Sequence, residues 1–306
     1  MKRTRPDRCP GVTRPWPAED GLLVRIRLVG GATTRDQLLA LAEVAERFGD
    51  GRVHVTNRAN LQVRAFPADG DKLTDDALAA LASTGLVGSL SHDLVRNIMV
   101  SPGTLPEPRT LPAPAEGAPR PATTTHLAVT RADLRPVATR MDELITSSPA
   151  MAQLPGKFLF CLDDGRGDLV DHWTDLGLVA LDADRGQLRI GSGWGEVVPL
   201  TEAADHLARL AHEFVTARGT SASAAWHVDE LDRPFVPTTT PHADLPAPQG
   251  PLPYGETPAG VHHHVPEQGL DHAGIEALCG EATNVVVTPW QGILLPTNQP
   301  SLAGLR

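Results

Sequence analysis

An α+β fold is predicted, in which two copies of a small β-α-β-β unit flank a middle α+β segment. Three observations predict it. Residues 22–84 switch between strand and helix periodicity in the order β-α-β-β-α. A degenerate copy of that pattern recurs over residues 261–296. Two proline-rich stretches, 101–124 and 233–258, punctuate the chain between the copies.

The first copy begins after a proline-rich arm. Leu22–Leu28, LLVRIRL, alternates as a strand, with Leu22, Val24, Ile26 and Leu28 on one face and Arg25 and Arg27 on the other. Gly30-Gly31 turns the chain. Thr34 with Gln37 three residues on is a capping-box signal. Leu38, Leu41, Ala42, Ala45 and Phe48 then follow helical spacing, and Gly49 ends the helix. A strand at Arg52–Val55, the turn TNRAN, a strand at Leu61–Phe66 and a helix from Thr74 to Thr84 follow. That order is most of a ferredoxin-like unit.

In the middle segment a helix is expected over Leu134–Ser147, and strands at KFLFCL, LGLVAL and QLRIG. A second helix is expected over Glu202–Arg218. DDGRGD, with Asp163, Asp164 and Asp168, reads chiefly as a turn, with a divalent cation as the other reading. AAWHVDEL reads as a strand with a half-buried Trp226, and Gly191–Gly195 lacks the spacing of a dinucleotide fingerprint. In the second copy a strand at Val261–Val265 and a helix at Asp271–Cys279 precede VVVTPWQGILLP. There Thr288-Pro289-Trp290 lines up with Thr56-Asn57-Arg58, and Ile293-Leu294-Leu295 with Leu61-Gln62-Val63. Of the three consecutive histidines, only His262 and His264 share a face for an ion.

The chain has 306 residues, 41% hydrophobic and 21% charged, which is globular and long enough for several domains. A net charge of −10 argues against a nucleic-acid partner. No apolar run is long enough for a membrane span, and the basic N-terminus lacks the apolar segment of a secretory signal. Cys9, Cys161 and Cys279 are far apart, so no disulfide framework is expected and a cytoplasmic location is the default.

Basic residues are the chemical signal in so acidic a chain. On the hairpin, Gln62 and Arg64 share a face, with Arg58 in the turn. Aligned with Arg25 and Arg27, they line one side of a small sheet with guanidinium forks that suit carboxylates and phosphates. The other reading is the solvated side of an amphipathic sheet. Arg96 and Asn97 interrupt the apolar run of HDLVRNIMVSP, and Lys157 precedes a buried-looking strand. Lysine occurs only at Lys2, Lys72 and Lys157.

These pieces together resemble the siroheme-dependent sulfite and nitrite reductase superfamily, and most of all its precorrin-3B synthase branch in cobalamin biosynthesis. RPDRCPGV, LLVRIRLVGG, GDGRVHVTNRANLQVR, DLVRNIM, LPGKFLFCLDDGRGD and VTPWQGILLP carry the resemblance, in order and over most of the chain. The resemblance implies two nitrite/sulfite reductase-type ferredoxin-like half-domains flanking a middle α+β domain. Its divisions are an arm at 1–18, a half-domain at 19–86, a middle domain at 87–232 containing the 101–124 linker, a linker at 233–258, and an incomplete half-domain at 259–306.

It also implies a tetrapyrrole, substrate or cofactor, held by basic side chains. Arg58 matches the family's Thr-x-Arg turn, Arg25 or Arg27 the arginine before its Gly-Gly turn, Arg96 and Asn97 its Arg-Asn pair, and Lys157 the first basic residue of a Lys-x-Lys-like motif. The second basic position is Leu159 here. The implied reaction is an oxygen-dependent hydroxylation of precorrin-3A with lactone formation. A siroheme sulfite or nitrite reductase relative, and a non-catalytic tetrapyrrole-binding subunit, are the alternatives.

The family's cofactors are a [4Fe–4S] cluster with siroheme or non-heme iron. Its C-x5-C and C-x3-C ligand pairs are absent from this sequence. The expectation is therefore no cluster ligands in this chain, which leaves three readings: a truncated form, a decayed form, and a split one whose partner polypeptide carries the ligands.

Overall fold

The computed structural model describes residues 9–103, 130–221 and 223–297, and the chain there builds three main sheets. The first half-domain opens with β1 (Trp16–Ala18) and β2 (Gly21–Ile26), an antiparallel pair. β3 (Ala32–Thr34) leads into α1 (Arg35–Phe48). The Thr34 side chain accepts from the backbone N–H of Gln37 at 3.2 Å, and Gln37 Oε1 accepts from the N–H of Thr34 at 3.1 Å, so the expected capping box is formed. β4 (His54–Val55) and β5 (Leu61–Phe66) form the hairpin, and a ribbon of β6 (Ala68–Asp69) and β7 (Lys72–Leu73) precedes α2 (Asp75–Ser83). The sheet order is β1-β2-β5-β4. Val24, Ile26, Leu61 and Val63 pack with Leu38, Leu41 and Leu81 of the helices, which leaves Arg25 and Gln62 on the other face.

The middle segment contributes β8 (Ile98–Val100), α3 (Arg135–Ser147), β9 (Phe160–Asp163), β10 (Leu176–Ala180), β11 (Arg185–Ile190), β12 (Gly193–Pro199) and α4 (Leu200–Arg218). β8, β9 and β10 run parallel, and β11 and β12 are antiparallel additions. Alternation along β9 and the residues before it divides the two faces. Phe158, Phe160 and Leu162 pack under α3 and α4 with Met141, Ile145, Leu207 and Phe214. Leu159 and Cys161 face the other way and meet Met99, Ala59 and Trp290. The turns of both half-domains therefore touch the helix-free face of the middle sheet.

The second half-domain has β13 (Gly255–Thr257), β14 (Gly260–His264), α5 (His272–Cys279), β15 (Asn284–Thr288) and β16 (Gly292–Pro296). Its sheet order, β13-β14-β16-β15, repeats that of the first. The turns repeat as well: Ala59 has φ 54° and Gln291 has φ 58°, the same left-handed position in equivalent hairpins. Each copy completes the other's sheet. β3 pairs with β15, and Val53 bridges to Leu270. Gly31, at φ 71°, allows the first crossing, because a Cβ there would overlap the Val287 carbonyl oxygen.

Two details depart from the sequence reading. The strand expected in AAWHVDEL is a 3₁₀ turn at Val228–Glu230. The Asp175 carboxylate accepts from the N–H of Val228 and the His227 ring from that of Asp229, which leaves no ladder to join. Gly193–Pro199 is a strand, where the glycine pattern concealed one. Most of the 101–124 linker lies outside the described residues.

Candidate functional site

The first half-domain grips the middle domain at two consecutive carbonyls. Arg27 is 3% exposed and spends its guanidinium on four oxygens: Asn97 Oδ1 at 2.9 Å, Asp93 O at 3.0 Å, Pro10 O at 3.1 Å and Gly156 O at 3.4 Å. Burial lowers its pKa to about 10, against the opposing pull of Asp93. Asn97 donates from Nδ2 to Gly156 O at 3.0 Å and to Leu94 O at 3.3 Å. One residue on, Arg58 Nη1 donates to Lys157 O at 2.9 Å. Arg27, Asn97 and Arg58 thus converge on the Gly156-Lys157 link and fix where the Lys157 side chain starts.

Above this clamp lie the cations that remain chemically available. Arg58 is half-buried and Lys157 exposed, and among the described residues no carboxylate forms an ion pair with either. The Arg58 guanidinium lies 5.8 Å from the Trp173 ring centre, and Lys157 Nζ lies 5.4 Å from that of Trp226. Trp173 is 51% exposed and stacks on His227 with ring centres 4.1 Å apart. Arg25 adjoins this patch; its Nη2 donates to Gln62 Oε1 at 3.3 Å, and its buried Nε has no partner. Burial, then the Arg58 charge, holds His172 below the usual imidazole range. Neither tryptophan is legible in the sequence as part of the site, because the Arg58–Trp173 and Lys157–Trp226 contacts join residues 115 and 69 positions apart.

Two expected site residues are spent elsewhere. Arg64 sits beside a bulge in β5, where Ala65 takes φ 61° and the pairing with β2 shifts register. Its Nε and Nη2 donate to the Asp20 carboxylate at 2.9 and 3.3 Å. Arg96 makes a two-pronged pair with Asp142 of α3 at 2.6 and 2.8 Å. It lines a separate cleft of about 510 Å³ with Arg27, Gln37, Thr139, Asp142 and Glu143. Six of the eight expected residues therefore form or support one patch: Lys157 at its centre, with Arg25, Arg27, Arg58, Gln62 and Asn97 around its link.

The equivalent face of the second half-domain has the opposite chemistry. Register places His262 against Leu294 as Arg25 stands against Gln62. Trp290 takes the place of Arg58. A strap covers this face: His262 Nδ1 contacts Leu252 O at 3.1 Å, and the Tyr254 hydroxyl donates to the Trp290 carbonyl. His262 is 1% exposed, with Nε2 at 2.9 Å from Thr288 Oγ1, so both ring nitrogens are used and the shared ion with His264 has no place. Among the described residues the cationic face belongs to the first copy alone.

Asp163, Asp164 and Asp168 do come together, but around their own loop. Asp163 accepts from the N–H groups of Gly165, Gly167 and Leu169 at 2.8–3.0 Å, and Arg166 sits between Asp164 and Asp168. That is turn chemistry, as the sequence implied. The three cysteines form no disulfide, are buried and lie in separate places: the N-terminal arm, β9 and the end of α5. Burial pushes Cys161 up to about 12. The described residues therefore do not fit a [4Fe–4S] cluster, whereas the free ends of Arg58 and Lys157 do fit the carboxylates of a tetrapyrrole.

Residues 16–80 match the family model of the nitrite/sulfite reductase ferredoxin-like half-domain. A precorrin-3B synthase of Sinorhizobium is 45% identical over 60 residues, 20% of this chain and 13% of that protein. A ferredoxin–nitrite reductase of Leptolyngbya laminosa is 40% identical over 84 residues, 26% of this chain and 16% of that one. The chloroplastic ferredoxin–nitrite reductase of maize is 28% identical over 155 residues, 49% and 23%. The matches thus span less than a quarter of each relative. The solved structure of the NirA protein of Mycobacterium tuberculosis superposes with a TM-score of 0.59 at 16% identity, over 95% of this chain and 58% of that one, and so shares the fold. Residues 16–80 thus match a nitrite/sulfite reductase ferredoxin-like half-domain, and the described fold is the one seen in NirA.

Proposed function

We propose that this chain binds a polycarboxylate tetrapyrrole on the cationic face of its first half-domain, and that it serves a reaction of the precorrin-3B synthase type, hydroxylation of precorrin-3A with lactone closure. The observation that carries this reading is the pair of cations, Arg58 and Lys157, placed side by side without a carboxylate partner among the described residues of an acidic chain. Arg58 has Nε and Nη2 available for a two-pronged grip on one carboxylate, and Lys157 offers a point charge to another. Arg25 and Gln62 extend the donor row along the sheet. The short match to a precorrin-3B synthase supports the choice of substrate.

Leu159 favours this substrate over sulfite or nitrite. It stands where the resemblance expects a second basic residue, and it is 3% exposed among Met99, Cys161 and Ala59. An apolar side chain there removes the charge density that a small oxyanion requires, while a macrocycle with carboxylates around its rim spans the gap. Siroheme or non-heme iron and a cluster would supply the oxidising chemistry. The described thiols do not form the cluster site, so any cluster would take its ligands from outside the described residues. The residues here bind and orient the carboxylates.

The test is a spectroscopic titration, without oxygen, with precorrin-3A, sulfite and nitrite. Precorrin-3A binding that weakens at least tenfold in the Arg58→Ala/Lys157→Ala variant is expected. Sulfite or nitrite binding at this face, with none of precorrin-3A, would overturn the reading.

A further inference from the structure

The two site cations share an unusual kind of neighbour. Arg64 and Arg96 are each neutralised by an aspartate, and Arg27 is consumed by carbonyls. Arg58 and Lys157 are instead each held over an indole, Trp173 at 5.8 Å and Trp226 at 5.4 Å. The chain has only five tryptophans and 37 acidic residues, so an acidic neighbour was the commoner choice available. An indole attracts a cation through its negative ring face but leaves the positive charge unneutralised and its N–H groups free. A carboxylate would hold the cation more firmly and compete with an anionic ligand.

The first indole is itself anchored. The Asp175 N–H donates to Leu159 O at 3.0 Å, and the Asp175 carboxylate accepts from the N–H of Leu159 at 2.9 Å. Trp173 is thereby tied to the residue two places after Lys157. Behind it, His227 has a fixed tautomer: Nδ1 accepts from the N–H of Asp229 at 3.1 Å, so Nε2 carries the hydrogen and donates to Thr174 O at 2.9 Å. The Trp226 backbone is held by Glu230, whose carboxylate accepts from its N–H at 2.9 Å.

We infer that Trp173 and Trp226 are positioning residues for the anion site, each holding one cation, Arg58 and Lys157 respectively, ready for a carboxylate-bearing ligand without neutralising it. This rests on the proposed site and adds to it how the site stays charged and ordered before ligand arrives.

A double-mutant cycle with uroporphyrin as the probe, followed by its absorbance, tests the pairing. Trp173→Leu should weaken binding about threefold in the otherwise wild-type chain and have no effect when Arg58 is already alanine. Trp226→Leu should couple in the same way to Lys157→Ala and not to Arg58→Ala. Trp173→Phe, which keeps a ring face, should restore most of the affinity. A Trp173→Leu effect of the same size with and without Arg58, or no effect at all, overturns the inference while leaving the site intact. Wild-type affinity in both Arg58→Ala and Lys157→Ala would remove the site itself, and this inference with it.

Discussion

Arg27 and Arg58 reach neighbouring carbonyls, Gly156 O at 3.4 Å and Lys157 O at 2.9 Å, yet one is entombed and the other is half-exposed. The same strand-and-hairpin unit thus supplies one arginine to the fold and one to the surface.

The two arginines should separate in a stability measurement. Arg27→Met leaves the carbonyls of Pro10, Asp93 and Gly156 and the amide oxygen of Asn97 short of a donor, which costs about 3 kcal/mol. Arg58→Ala loses one hydrogen bond at a wet turn and costs under about 1 kcal/mol. Urea unfolding of both variants checks this; equal losses would mean that Arg58 also belongs to the fold.

Gly31 joins the two half-domains. Gly31→Ala meets both a left-handed backbone and the Val287 carbonyl oxygen, so β3 cannot pair with β15 as it does. A loss of roughly 3 kcal/mol or more is expected. Gly51, at φ 77° with open space around it, is the control: Gly51→Ala carries only the backbone strain, about 1 kcal/mol. Similar melting temperatures for the two variants would count against the crossed sheets.

The DDGRGD loop should make stability depend on pH. Burial, opposed by Arg166 and reinforced by Asp163 and Asp164, pushes Asp168 up to about 7 from 3.8. Asp164 is raised in the same direction. Between about pH 4 and 7 the folded chain then holds protons that the unfolded chain releases, so stability falls as pH rises through that window. The slope from one such group is at most about 1.4 kcal/mol per pH unit. Asp168→Asn keeps the shape and removes the charge, and should flatten the profile in urea unfolding from pH 5 to 7.5. An unchanged slope would assign the effect elsewhere.

Much of this architecture is legible in the sequence, because the signals are local. Thr34 and Gln37 announce α1 by their spacing, and the hairpin turns at Arg58 and Trp290 repeat closely enough to reveal two copies of one unit. What was not legible depends on distant partners. The crossing of β3 onto β15 joins residues some 250 positions apart, and nothing local in Ala32–Thr34 encodes it. The face holding Arg25, Gln62 and Arg58 follows from strand alternation, but the loss of Arg64 and Arg96 from it depends on Asp20 and on Asp142. The stack of Trp173 on His227 is illegible for the same reason: it unites a loop and a turn that share no periodicity.

The most direct test of the cationic site is the affinity of the wild-type chain and of Arg58→Ala/Lys157→Ala for uroporphyrin at two salt concentrations. Binding should weaken with salt in the wild type, and the variant should be folded, bind at least tenfold more weakly and lose most of the salt dependence. A folded variant with wild-type affinity and the same salt dependence would contradict it, and would return Arg58 and Lys157 to the solvated surface.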